Sequence, residues 1–278
     1  MEITIPLFSE ISLKIATAPL TRTHFPSSRL QKGLLLIYAG HELAEEAVGF
    51  GVPVIKRGLQ TIFAGDVSLA SQVDGSIHTV TARYTLNLEE KIARTGAESL
   101  EFKLLYDIKN LLAELIRRFQ RLRTFLTTIS NLLRGLFKWE TTFEESEFHT
   151  FVNIIYAIDA QAGVVNVAVD TSGLLTEGIT EVAIMNEQGA ITFDQYRDNR
   201  GLQLRGQEIG CWDEVTADQA SFLSDDYQIE FSLDQIKGSR LFRGRELIGS
   251  RLAWAGFGYS FPPSSQVFNY SIKITKLT

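Results

Sequence analysis

Thr79-Val80-Thr81-Ala82-Arg83-Tyr84-Thr85-Leu86-Asn87-Leu88 alternates apolar and polar residues along its whole length. Val80, Ala82, Tyr84, Leu86 and Leu88 fall on one side, and Thr79, Thr81, Arg83, Thr85 and Asn87 on the other. A two-residue period is that of a β-strand, because successive side chains leave opposite faces of the pleat. The stretch therefore predicts a strand with one buried and one wet face, and with it a chain that is mainly β.

The neighbouring sequence extends that reading. Toward the N-terminus, Ser12–Ala18 and Leu34–Ala39 are short apolar runs. Val52–Ile55 and Thr61–Ala64 flank Lys56-Arg57-Gly58, a turn signal. Beyond Phe148, Phe151–Ile158 and Val164–Val169 read as buried strands joined by the hairpin loop Asp159-Ala160-Gln161-Ala162-Gly163. Val182–Met185 and Ala190–Phe193 flank Asn186-Glu187-Gln188-Gly189, read as a second hairpin. Leu202–Leu204, Tyr227–Leu233, Leu252–Ala255 and the alternating Phe268, Tyr270, Ile272 and Ile274 follow. Many short strands with regular turn signals predict a large antiparallel β-sandwich of supersandwich character. This pattern is similar to that of the two-sheet sandwiches of the galactose-mutarotase type, found in sugar-processing proteins. The likeness is one of architecture, which by itself carries no function. Gly49-Phe50-Gly51 before Pro53 and Gly256-Phe257-Gly258 before Pro262 echo one another and read as two tight β bends.

The period changes in mid-chain. Thr95-Gly96-Ala97-Glu98 fits a capping box, and Leu104, Ile108, Leu111, Leu115, Phe119, Leu122, Leu126, Ile129, Leu133 and Leu136 follow at spacings of three and four. This predicts one long amphipathic helix or a helical hairpin over residues 96–138. It is set between an N-terminal β block (1–95) and a C-terminal one (139–278) that share one sandwich. Such a stripe must be covered, so a homodimer through Leu111, Leu115, Phe119, Leu122 and Leu126 is expected. Residues 103–138 hold eight bases against two acids, whereas the whole chain has a net charge of −6. Contact with an anionic membrane surface is the secondary reading of that basic stripe, after packing on the acidic remainder.

Composition narrows the partners. The net charge of −6 argues against bulk nucleic-acid binding. One cysteine, Cys211, excludes an intrachain disulfide and a cysteine-based metal cluster. Neither a signal peptide nor a transmembrane run is read, so cytoplasmic residence is the expectation. The phosphate-binding glycine loops, the nucleophile elbow and the zincin spacing do not occur, and no cofactor is expected. His41-Glu42 with Glu45 and Glu46 is the densest ligand-like cluster, and reads first as a solvated acidic turn.

Trp212-Asp213-Glu214 carries the chemistry most worth following. Sugar sites combine a flat aromatic platform with carboxylates that bind hydroxyls or move protons. Asp213 and Glu214 are the candidate catalytic pair, and Trp212, Trp254, Tyr259, Arg197 and Asp198 the candidate substrate contacts. The competing reading places these aromatics in the sandwich core and the charges in solvated loops. The expectation is a carbohydrate-binding protein or sugar-active enzyme; the alternative is a non-catalytic scaffold assembling through its helix.

Overall fold

In the computed structural model the alternating stretch lies inside an 18-residue strand, and Val80, Ala82, Tyr84 and Leu86 are fully buried. The structure describes residues 1–8, 10–17, 30–44, 47–58, 60–94, 139–175, 177–210, 212–248, 252–264 and 266–278. The described strands form two antiparallel sheets. The smaller runs in chain order through β1 (Glu2–Phe8), β2 (Ile11–Ala16), β3 (Leu35–Tyr38) and β4 (His41–Glu42). The larger begins with β5 (Gly49–Arg57), β6 (Gln60–Asp74), β7 (Ile77–Arg94), β8 (Trp139–Asp159), β9 (Val164–Asp170) and β10 (Ile179–Gly189). It continues with β11 (Gln195–Asp198), β12 (Gln203–Arg205), β13 (Asp213–Val215) and β14 (Gln219–Ser224). It ends with β15 (Ile229–Asp234), β16 (Arg240–Ile248), β17 (Leu252–Phe261) and β18 (Val267–Lys276). Its order is β12-β11-β14-β15-β18-β9-β8-β7-β6-β5-β10-β17-β16-β13, so strands from both sides of residues 95–138 share one sheet.

Fourteen twisted strands cannot stay flat, and this sheet folds across itself. Phe50 on β5 meets Phe231 on β15 with ring centroids 5.1 Å apart, and Phe257 on β17 meets Phe222 on β14 at 4.8 Å. Tyr259 on β17 meets Tyr270 on β18 at 4.7 Å. None of these strands are neighbours in the sheet, so the contacts join two facing halves into a sandwich-like core. The small sheet closes over the same core with Ile5, Ile11, Leu13, Ile15 and Leu36, and Leu34, just before β3, joins them. Each large side chain removed from water contributes about 1.5–3 kcal/mol, and nearly all of this burial comes from inward-facing strand positions. The end strands β12 and β13 are three residues each and are joined through the 3-10 turn Gly206–Ile209.

The fold differs in one element from the one expected from the sequence. The protein is mainly β with large antiparallel sheets, and among the described residues no helix reaches seven residues. Among the described residues the long amphipathic helix is not found. The residues on which it was read, 96–138, and the interface residues Leu111, Leu115, Phe119, Leu122 and Leu126 lie outside the described residues. What the structure describes on either side is strand: Ala93 pairs with Glu140 and Arg94 with Trp139. A three-and-four spacing shows which residues could share a helical face. Helical stability, however, comes mostly from tertiary packing, and the described core is filled from sheets.

Asn186-Glu187-Gln188-Gly189 is the end of strand β10 and not a hairpin loop. Asn186 pairs with Phe50 on one side and Phe257 on the other, and Glu187 with Gly49 and Gly256. The two Gly-Phe-Gly sequences thus flank β10, with both phenylalanines in the core. They are not equivalent bends. On β5 the register shifts between Met185 and Asn186, and Gly51 is the extra residue of a bulge with φ +78°. The glycines of β17 have no positive φ.

Candidate functional site

The chain enters β13 from the 3-10 turn through Gly210, and Trp212 follows with φ +57°. A tryptophan in the left-handed region is an outlier that its surroundings must hold in place. The hold is visible: the Trp212 indole stacks on Trp254 with centroids 4.6 Å apart and planes at 26°. Both rings lie close over glycines. A Cβ on Gly258 would come within 2.8 Å of Trp212 Cζ3, and one on Gly244 within 2.6 Å of Trp254 Cη2. The missing side chains let the two indoles settle on the outer face of β16 and β17. Trp254 is buried there beside Leu35, Ile37, Ala44 and Ala47, while Trp212 is half-buried.

Alternation along the strands then divides the candidate residues. Glu214 is exposed and stands opposite Phe242, which pairs with Gly258, so it shares the outer face with Trp212. Asp213 points the other way, where its Oδ2 lies 3.7 Å from Arg243 Nη2. The Arg243 guanidinium sits 4.8 Å from the centre of the Tyr196 ring on β11, so this contact brings the two ends of the large sheet together. Tyr196 in turn donates its hydroxyl hydrogen bond to Asp198 Oδ2 at 3.1 Å. Burial pushes the Tyr196 phenol pKa up, with Arg243 opposing and Asp198 adding to the rise, so the hydroxyl remains a donor. Asp198 Oδ1 accepts from the Arg200 and Leu202 amides, fixing the β11–β12 turn, and Arg197 is ion-paired with Glu230. Tyr259 faces the core and donates to the Asp234 carbonyl.

The structure therefore brings together Trp212, Trp254 and Glu214, and separately links Asp213 to Asp198 through Arg243 and Tyr196. It does not gather all seven around one cleft. Asp213→Asn should lower stability by about 1–2 kcal/mol, a discounted value for a pair that is only partly buried. A denaturant cycle with Arg243→Met checks this. A coupling near zero would mean that the charge pair contributes nothing to holding the sheet ends.

The sequence reading did not single out a second polar feature. On the outer face beyond Phe242, an open groove of about 390 Å³ is lined by Thr180, Glu181, Ser239, Arg240 and Ser260 among others. Glu181 binds Lys56 at 2.9 Å, accepts a hydrogen bond from Ser260 and lies 3.7 Å from Arg240. Lys56, Glu181, Arg240 and Ser260 come from β5, β10, β16 and β17, and no spacing within one segment announces them.

Of the histidine–carboxylate cluster, His41 and Glu42 form the short strand β4, and Glu42 is ion-paired with Lys32 at 2.6 Å. Glu45, Glu46 and Cys211 lie outside the described residues. Among the described residues no three His, Cys, Asp or Glu side chains group as metal ligands, and no helix is long and apolar enough to cross a membrane. Comparison with protein-family models and with curated proteins gives no match for this chain.

Proposed function

We propose that the chain is a carbohydrate-binding protein whose platform is the outer face of Trp212. The observation that supports this reading is the Trp212–Trp254 stack, held over Gly244 and Gly258 with the exposed Glu214 carboxylate on the same face. An indole backed by a second indole is a rigid apolar plane. It binds the C–H face of a sugar ring with little entropy to lose, and a nearby carboxylate accepts from sugar hydroxyls. Binding is a better fit than glycoside cleavage. Adjacent residues of one strand face opposite sides, so Asp213 and Glu214 cannot flank one glycosidic bond, and Asp213 is engaged by Arg243.

The test is titration with a panel of oligosaccharides, followed by tryptophan emission and calorimetry. Trp212→Ala should weaken binding at least about tenfold, the equivalent of about 1.4 kcal/mol. A natural chain that binds no sugar in the panel, or a Trp212→Ala variant that binds as well as the natural chain, would remove the reading.

A further inference from the structure

Trp212 and the groove at Glu181 lie on one continuous strip of the sheet. Along β17 the outward positions are Trp254, Gly256, Gly258 and Ser260, and Trp212 rests over Gly258. Ser260, two residues on, is about 7 Å away along the strand. Arg240 pairs with Ser260 in register, and its guanidinium lies 5.0 Å from the centre of the Phe242 ring, beside Gly258. A ligand seated on the indole and running along β17 therefore reaches Arg240 next.

The electrostatics of that neighbour are unequal. Lys56 and Arg240 face one carboxylate, Glu181, so the cluster carries net positive charge. Lys56 holds Glu181 at 2.9 Å, whereas Arg240 stands at 3.7 Å with nearly half of its side chain in solvent. Arg240 lines the groove, and the planar fork of a guanidinium suits a carboxylate. The three hydroxyls lining the groove already donate: Thr180 to the Lys56 carbonyl, Ser239 to the Ile236 carbonyl and Ser260 to Glu181. Each retains acceptor lone pairs, which suit the hydroxyl donors of a sugar.

We propose that the ligand is an acidic oligosaccharide, with one ring on Trp212 and the carboxylate of a uronic acid unit on Arg240. This rests on the carbohydrate reading above and names its ligand class. The experiment compares galacturonic acid oligomers with carboxyl-reduced, uncharged oligomers of the same length, by calorimetry on the full chain at low and high salt. The acidic oligomer should bind at least about tenfold more tightly at low salt, with the advantage shrinking as ionic strength shortens the Debye length. Arg240→Gln should abolish the advantage, Arg240→Lys should keep part of it, and Trp212→Ala should weaken binding of both oligomers. Equal binding of the two oligomers by the natural chain, or an advantage that survives Arg240→Gln, would overturn the acidic-ligand proposal and leave the indole platform standing. Binding of neither oligomer would overturn both.

Discussion

Gly51→Ala is expected to destabilise the protein by about 2–5 kcal/mol, far beyond the roughly 1 kcal/mol of an ordinary glycine-to-alanine propensity effect. Two costs coincide at this position. Gly51 has φ +78° because it is the extra residue of the β5 bulge, and a Cβ in that conformation costs about 1–2 kcal/mol. The same Cβ would stand 2.5 Å from the Tyr156 hydroxyl oxygen. Tyr156 cannot easily yield, since it is fully buried and its hydroxyl donates to the carbonyls of Phe50 at 2.9 Å and Gly51 at 3.2 Å. Overpacking against a fixed core group adds about 1–3 kcal/mol. Gly75→Ala is the control: its φ is +59°, but nothing lies within 4 Å of the added methyl, so it isolates the conformational cost. Guanidinium denaturation of both variants makes the comparison. Equal losses would mean that Tyr156 gives way and that the clash carries no weight.

The position of Gly51 also shows where a sequence reading stops. The alternation from Thr79 to Leu88 is legible because it is local, and the burial of Val80, Ala82, Tyr84 and Leu86 follows from it. Asn87, assigned to the wet face, is buried too, because its Oδ1 accepts from the Gly65 amide at 3.1 Å where the β6–β7 register shifts. Asn186 to Gln188 are the larger version of the same error. A run of polar residues ending in glycine reads as a turn, since polar side chains in a central strand are costly unless partnered. Here partners exist. The Leu36 amide donates to Gln188 Oε1, and Gln188 Nε2 donates to the Leu34 carbonyl, so the polar strand joins the small sheet to the large one. Those partners lie about 150 residues away in sequence, and no local period reports them.

For the candidate site, parity along a strand is the informative signal. Trp254 and Tyr259 are an odd number of residues apart on one strand and therefore must face opposite sides, as must Asp213 and Glu214. The sequence marks these residues as chemically suited to a sugar. Only the strand assignment shows that Trp212, Trp254 and Glu214 can act together while Tyr259 and Asp213 face inward. The groove at Glu181 was beyond reach, because Lys56, Glu181, Arg240 and Ser260 meet through a strand order, β5-β10-β17-β16, that one sequence does not reveal.

The largest effect is expected at Asn186, where the polar strand meets the bulge. Its Oδ1 accepts two hydrogen bonds in the core, from the Gly51 amide at 3.1 Å and from the Tyr270 hydroxyl at 2.8 Å. The Gly51 amide needs this acceptor because the bulge takes it out of the regular β5–β10 ladder. Burial pushes the Tyr270 pKa well above its ordinary value, so the phenol stays a neutral donor. Asn186→Ala leaves both donors without their acceptor where water does not reach. At about 1–3 kcal/mol for each of the two orphaned groups, plus about 1 kcal/mol for the cavity, the loss should be about 3–7 kcal/mol. Tyr270→Phe in the Asn186→Ala background removes one orphan along with its hydroxyl, so the double variant should be less destabilised than the sum of the singles by about 1–2 kcal/mol. Urea midpoints of the four proteins close this cycle. Strict additivity would mean that the Tyr270 hydroxyl finds another partner once Asn186 is gone, and the Asn186 carbonyl could then no longer be regarded as the group that ties β18 to the β5 bulge.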